Sequence, residues 1–235
     1  MQKSGNPYIT VSKVNYLIES PTREALPLPV TGLLLCGGKS RRMGRPKAFL
    51  PYQGTTLVEH VLTTIKDLFS EVLIVANEPD DYENLGVDVV KDILPYRGPL
   101  GGILSGLVVA QHQYCFVIAC DMPLVDRRLI REMTASRHGN DVVVLSHKNG
   151  IEPLLGLYSK NCIKPLEESL FAGNLSVQDF LSGLKAQTFT CPFDATTDDA
   201  LPPFFNVNTP QDYSRIIMGT TGGVQNFPAK RQATV

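Results

Sequence analysis

Short unbroken apolar runs that recur along the chain limit its possible folds more than any other feature. Val30–Leu35, Glu71–Ala76, Val87–Val90, Cys115–Ala119 and Asp141–Leu145 read as strands buried on both faces. Between the first two, Leu57, Val58, Val61, Leu62, Ile65 and Leu68 recur at helical spacing behind Thr56-x-x-Glu59, a capping box. Strand, helix and strand in alternation require a mostly parallel sheet with helices on both faces. Later helices are expected from Gly98 to about Gln111, at Asp126–Arg137, Ser159–Phe171 and Ser176–Leu184, and from Pro210 onward. Ile151–Tyr158, Ala186–Thr190 and Phe204–Val207 read as further strands.

A chain of 235 residues with 43% apolar content suits one such domain with decorations. The domain is expected at 30–218, after an extension at 1–29 and before a flexible tail at 219–235. In the extension, Tyr8–Ile18 alternates enough to add an edge strand before Pro21, Pro27 and Pro29. A net charge of −1 argues against a global nucleic-acid footprint. Five scattered cysteines without a C-x-x-C pair fit reduced thiols in a cytoplasmic protein. No apolar stretch is long enough to cross a bilayer, so no membrane role is expected.

The first run is the most informative. Leu33-Leu-Leu-Cys36 leads into Gly37-Gly38, and then Lys39, Arg41, Arg42, Arg45 and Lys47 supply five cations within nine residues. No carboxylate lies between Gly32 and Glu59 to neutralise them. Glycines let backbone N–H groups approach an anion, and the cations supply countercharge, so a polyphosphate is the simplest ligand. A P-loop would need its first glycine at the position of Leu33, and no Gly-x-Gly-x-x-Gly is present. The competing reading is a solvated basic loop, or a patch that touches RNA or acidic partners.

In open parallel sheets ligands bind outside the carboxyl ends of the strands. The residues that follow successive runs are Gly37 and Gly38, Asn77, Asp92 and Asp121, with Asn206-Val-Asn208 near the last. Asp121 can hold a magnesium ion together with substrate phosphates, or cap a helix starting near Pro123. Lys47, stiffened by Pro46, can neutralise a phosphoryl group under attack, or be a solvated lysine. Gly98-Pro-Leu-Gly-Gly102, and with it Gly101 and Gly102, can meet the anionic end of a second substrate, or permit close packing on the sheet. Asn208 is either a site residue or the cap of the last helix. His60, His112, His138 and His147 have no ligand spacing and are read as structural or solvated.

Gly37-Gly38-x-Ser40-x-Arg42-Met43-Gly44 with Lys47 resembles the signature of molybdenum cofactor guanylyltransferases, within the wider nucleotidyltransferases. Cys120-Asp121-Met-Pro123 and Asn206-Val-Asn208-Thr-Pro210 resemble the same family's later elements. The resemblance implies a Rossmann-like three-layer α/β/α fold of nucleotidyltransferase type. It also implies transfer of GMP from GTP to molybdopterin-bound molybdenum, with pyrophosphate released. On that resemblance Leu35, Cys36, Gly37, Gly38, Lys47, Asn77, Asp92 and Asp121 contact the nucleotide, Lys47, Arg42 and Asp121 are catalytic, and Asp121 holds Mg²⁺. Gly101, Gly102 and Asn208 are the acceptor-side candidates, and the region around Glu152-Pro153 is a further pointer to the pterin contacts. The implied partners are GTP, a molybdopterin-type acceptor, and other proteins of molybdenum cofactor biosynthesis or recipient molybdoenzymes. Arg45-Pro46-Lys47 resembles the cytidylyl branch, which leaves a CTP-using enzyme, or a related nucleotidyltransferase with another phosphorylated acceptor, as an alternative. A binding module for nucleotide or RNA is the non-enzyme alternative.

Overall fold

Apolar side chains on two opposite faces of one sheet organise the molecule. The computed structural model describes residues 9–10, 26–37, 46–191 and 201–220. Strand β1 (Ile9–Thr10) is followed by β2 (Leu28–Cys36), a hairpin of β3 (Pro51–Tyr52) and β4 (Thr55–Thr56), then helix α1 (Leu57–Ile65) and β5 (Phe69–Ala76). Next come β6 (Asp88–Lys91), α2 (Gly98–Val109), β7 (Tyr114–Ala119), α3 (Arg127–Ala135), β8 (Val142–His147) and β9 (Gly150–Ser159). The chain then forms α4 (Ile163–Phe171), α5 (Val177–Ser182), β10 (Ala186–Thr190) and α6 (Pro210–Thr220).

The main sheet has eight strands in the order β1-β10-β8-β9-β7-β2-β5-β6. β2 is an interior strand, parallel to β5 on one side and β7 on the other, with Leu33 opposite both Leu73 and Val117. Leu34, Ile74 and Ile118 face one layer, formed by Val58, Val61 and Ile65 of α1 and by Leu129 and Met133 of α3. Leu33, Leu73 and Val117 face the other, where α2 contributes Leu100, Ile103 and Leu107, α4 Leu166 and Leu170, and α5 Phe180 and Leu181. Each such aliphatic side chain taken from water contributes about 1.5–3 kcal/mol gross. The three-layer α/β/α expectation holds.

Thr56 caps α1 as the sequence requires, with its hydroxyl accepting from the Glu59 N–H while the Glu59 carboxylate accepts from the Thr56 N–H. Of the edge strand expected within Tyr8–Ile18, Ile9–Thr10 forms β1, parallel to β10, and the remainder lies outside the described residues. α6 runs to Thr220, two residues past the expected domain boundary, and the rest of the tail lies outside the described residues. No helix among the described residues is long and apolar enough to cross a membrane.

Two local expectations are corrected and two features are added. Phe204–Val207 forms no strand, because Val207 spends its N–H on the Asp121 carbonyl (2.9 Å) and lashes this segment over the end of β7. α1 ends at Ile65, and Leu68 reaches the same core from the turn beyond it. The β3–β4 hairpin was not anticipated; its turn places Gln53 at φ 49° and Gly54 at φ 84°, a left-handed pair that Gly54 tolerates. β9 runs antiparallel to both β7 and β8 in an otherwise parallel sheet.

Candidate active site

A cleft of about 550 Å³ opens along the carboxyl ends of the parallel strands. Its floor follows the strand order, with Asp92 after β6, Asn77 after β5, Gly37 after β2, Asp121 after β7 and Leu154 on β9. Asn206 and Asn208 complete the wall beyond Asp121.

Lys47 reaches this rim from a 3-10 turn, Lys47–Phe49, that follows Pro46. Its Nζ donates to Asp121 Oδ2 at 3.1 Å and to Asn208 Oδ1 at 2.8 Å, joining residues 74 and 161 positions apart. Lys47 and Asp121 side chains are 19% and 18% exposed, so the pair is sheltered yet open to a ligand. The capping alternatives for both partners are removed. α3 is capped by Asp126, which accepts the Arg128 N–H at 2.6 Å, so Asp121 caps nothing. α6 is capped reciprocally by Thr209 and Asp212: the Asp212 N–H donates to the Thr209 hydroxyl, and the Asp212 carboxylate accepts from the N–H of Asn208 and Thr209. The Asn208 side chain is thereby left to Lys47.

At the other end, Asp92 is 8% exposed and its Oδ1 accepts from the Ser105 hydroxyl and the Leu94 N–H, each at 3.0 Å. Asn77 Oδ1 is buried without a hydrogen-bond partner among the described residues. An unmatched buried acceptor costs about 1–3 kcal/mol, so it marks a place where a donor belongs. The N-terminus of α2 carries no side-chain cap, and Gly98 and Pro99 line the cleft there. Gly102 also lines it. Gly101 does not: a Cβ there would lie 2.9 Å from the Leu94 carbonyl and 3.4 Å from Asp92 Oδ1, so this glycine serves close packing.

Leu35 and Cys36 are 8% and 7% exposed, which leaves chiefly backbone for a ligand. Burial pushes the Cys36 thiol well above its ordinary value, helped by the Cys120 thiol hydrogen-bonded to it and by the charge of Asp121. Cys36 is thus a thiol and not a nucleophile. Gly38 and Arg42 lie outside the described residues.

No group of three or more His, Cys, Asp and Glu side chains suited to a metal occurs among the described residues. A zinc cage is therefore not built there. One carboxylate, that of Asp121 in the same cleft as Gly37, fits magnesium, which keeps waters and substrate oxygens and needs only one or two protein ligands.

Of the wall residues, Asn206 is among the polar residues that the sequence places at this rim, while Tyr96 is not. Tyr96 holds φ at 64°, unusual for a bulky residue. Leu154 adjoins the Glu152-Pro153 region that the sequence points to, and Tyr96 had no signal.

A family model for the MobA-like NTP transferase domain matches residues 32–188. A probable molybdenum cofactor guanylyltransferase of Pelotomaculum thermopropionicum is 38% identical over 185 residues, spanning 79% of this chain and 90% of the relative. A molybdenum cofactor guanylyltransferase of Desulfosudis oleivorans is 35% identical over 188 residues, spanning 79% and 93%. Among solved structures, molybdopterin-guanine dinucleotide biosynthesis protein A of Archaeoglobus fulgidus superposes with a TM-score of 0.70 at 26% identity, over 82% of this chain and 99% of that one.

Proposed function

The chain belongs to the MobA-like NTP transferase family, and from that premise we propose that it transfers GMP from GTP to the terminal phosphate of molybdopterin-bound molybdenum. The observation that carries the reading is the Lys47–Asp121–Asn208 junction at the middle of the cleft. Across the sheet the floor supplies acceptors at Asn77 and Asp92, then the glycine turn at Gly37, then this junction, then the wall at Leu154 and Asn206. Base, triphosphate, reacting phosphorus and second substrate fall in that order along one line.

Guanine carries N–H donors on its pairing edge, which match the unpartnered Asn77 Oδ1 and the sheltered Asp92 carboxylate. The backbone of Leu35, Cys36 and Gly37, with Gly38, cradles the phosphates, and Arg42 joins Lys47 in supplying positive charge. An oxygen of the acceptor phosphate attacks the α-phosphorus of GTP. A new P–O bond forms as the bond to the bridging oxygen breaks, and that electron pair leaves with pyrophosphate. The acceptor oxygen is already ionised, so no general base is needed. Asp121 holds Mg²⁺, which neutralises charge on the phosphates when bound. Lys47 turns its ammonium toward the charge that develops on the departing oxygens, and Asn208 keeps it in line. The helix start, where Gly98 and Gly102 line the cleft on the Asp92 side, offers N–H groups to the nucleotide rather than to the acceptor expected at Gly101 and Gly102.

A cytoplasmic setting agrees with the absence of any disulfide among the described residues. The partners on this reading are GTP, the molybdopterin-type acceptor, and recipient molybdoenzymes that take the product. The test is pyrophosphate release with each of the four NTPs, using molybdenum-loaded molybdopterin as acceptor. Release with GTP and Mg²⁺ alone is expected. Preference for CTP would move the chain to cytidylyl transfer, and release with no NTP would remove the enzymatic reading.

A further inference from the structure

The wall of the cleft beyond Asp121 contains a hydrogen-bonded relay that the reaction above does not use. It begins at a break in the β8–β9 ladder. Val144 pairs with Gly156, but the next residue, Leu145, pairs with Glu152, so three residues of β9 bulge out of register with β8. Pro153, which has no N–H to give a ladder, sits in the bulge, and its carbonyl accepts the hydroxyl of the fully buried Tyr158 at 2.8 Å. Bulges re-aim side chains. Here the bulge brings Leu154 to the cleft and Glu152 to the end of β8, beside His147.

The polarity of each bond in the relay follows from the one before it. The Asn149 N–H donates to His147 Nδ1 at 3.3 Å, so the ring proton sits on Nε2. His147 Nε2 then donates to Glu152 Oε1 at 3.1 Å. The imidazole is 9% exposed and stacks on Phe204 with centroids 4.4 Å apart, which holds the plane of the ring. Glu152 Oε2 accepts from Asn206 Nδ2 at 3.3 Å, and the same amide nitrogen lies 3.5 Å from the Phe204 carbonyl. Both N–H groups of the Asn206 amide are thus committed, and the polar atom it has left is the carbonyl oxygen.

We infer that Glu152, oriented by His147, is a positioning residue that locks the Asn206 amide so that this wall presents a hydrogen-bond acceptor. The second substrate is then one that brings N–H or O–H donors to this wall, as the amino-substituted ring of a pterin does. A flipped amide would present donors instead and reject that edge, since a mismatched polar group is penalised far more than a missing contact. This inference rests on the proposed reaction only in naming the occupant; the fixed polarity of Asn206 stands on the relay alone.

Glu152→Gln separates the two possibilities, because a glutamine can either accept from or donate to Asn206 and so frees the amide to flip. The KM for the pterin acceptor is expected to rise about tenfold, the equivalent of ~1.4 kcal/mol, with the KM for GTP and the melting temperature unchanged. An unchanged acceptor KM, or an equal rise in both KM values, overturns the inference. ¹⁵N NMR of the histidine ring in the full chain provides a readout that needs no turnover. His147 is expected as the Nε2–H tautomer in the parent protein, the polarity that the Asn149 N–H imposes. A protonated Nδ1 in the parent protein refutes the relay whichever acceptor the enzyme uses. Absence of turnover in the parent protein together with the expected tautomer would instead count against guanylyl transfer while leaving the lock intact.

Discussion

Replacing Lys47 by methionine should move two observables in opposite directions. The ammonium sits 3.1 Å from Asp121 Oδ2 and occupies the carboxylate that the proposed metal needs. At an effective dielectric near 20, unit charges 3.1 Å apart interact by about 5 kcal/mol. Solvent at the cleft mouth and the cost of desolvation reduce this severalfold. About 1.4 kcal/mol remains as the expected gain, which is a roughly tenfold tighter Mn²⁺ affinity for the nucleotide-free Lys47→Met variant. During turnover the same ammonium faces developing charge in a sheltered site, and losing such a group lowers kcat by about 10²–10³. Mn²⁺ titration followed by electron paramagnetic resonance, paired with pyrophosphate release, measures both. Weaker Mn²⁺ binding in the variant would mean that Lys47 does not compete for the metal site, and a full kcat would remove it from catalysis.

Further outcomes follow from the same geometry. Asp121→Ala is expected to abolish turnover and leave the fold intact, because this side chain caps no helix; unchanged Mg²⁺-dependent release would exclude it from the mechanism. Thr56→Ala removes a reciprocal cap and should cost about 1 kcal/mol, or about 2–4 °C in Tm for a chain of this size, with both KM values unaltered. Burial holds the His60 imidazole below its ordinary value of 6.5, against a smaller opposing effect from its bond to the Pro123 carbonyl. The unfolded chain therefore takes up a proton at His60 first, and stability is lost as pH falls from 6.5 through the folded value. His60→Phe keeps the edge-on contact with Tyr52 and should flatten the denaturation free energy between about pH 7 and pH 5; an identical pH slope in both proteins would contradict this.

What the sequence made legible were features whose cause is local. Leu33 to Leu35 can only be a buried strand, Thr56 and Glu59 can only bond one another across one turn, and Asp121 ends an apolar run in a fold that uses such ends. The Lys47–Asp121–Asn208 junction had no periodicity to betray it, since its members are brought together by β7 and by the segment lashed to it through Val207. Phe204–Val207 looks like a strand because it is apolar, yet Phe204 covers His147 and Val207 is fully buried beside α6. The antiparallel course of β9 and its bulge at Pro153 depend on pairing with β7 and β8, which spacing along one chain does not encode. His147 reads as structural by sequence, and its contact with Glu152 arises only from that bulge.

A crystal structure of the chain with GTP and Mn²⁺, phased on the anomalous signal of the metal, tests the central claim most directly. The account expects manganese bonded to the Asp121 carboxylate and to phosphate oxygens, guanine against Asn77 and Asp92, and Lys47 turned toward the phosphates. A metal peak away from Asp121, or a guanine ring seated by Leu154 and Asn206, would contradict it.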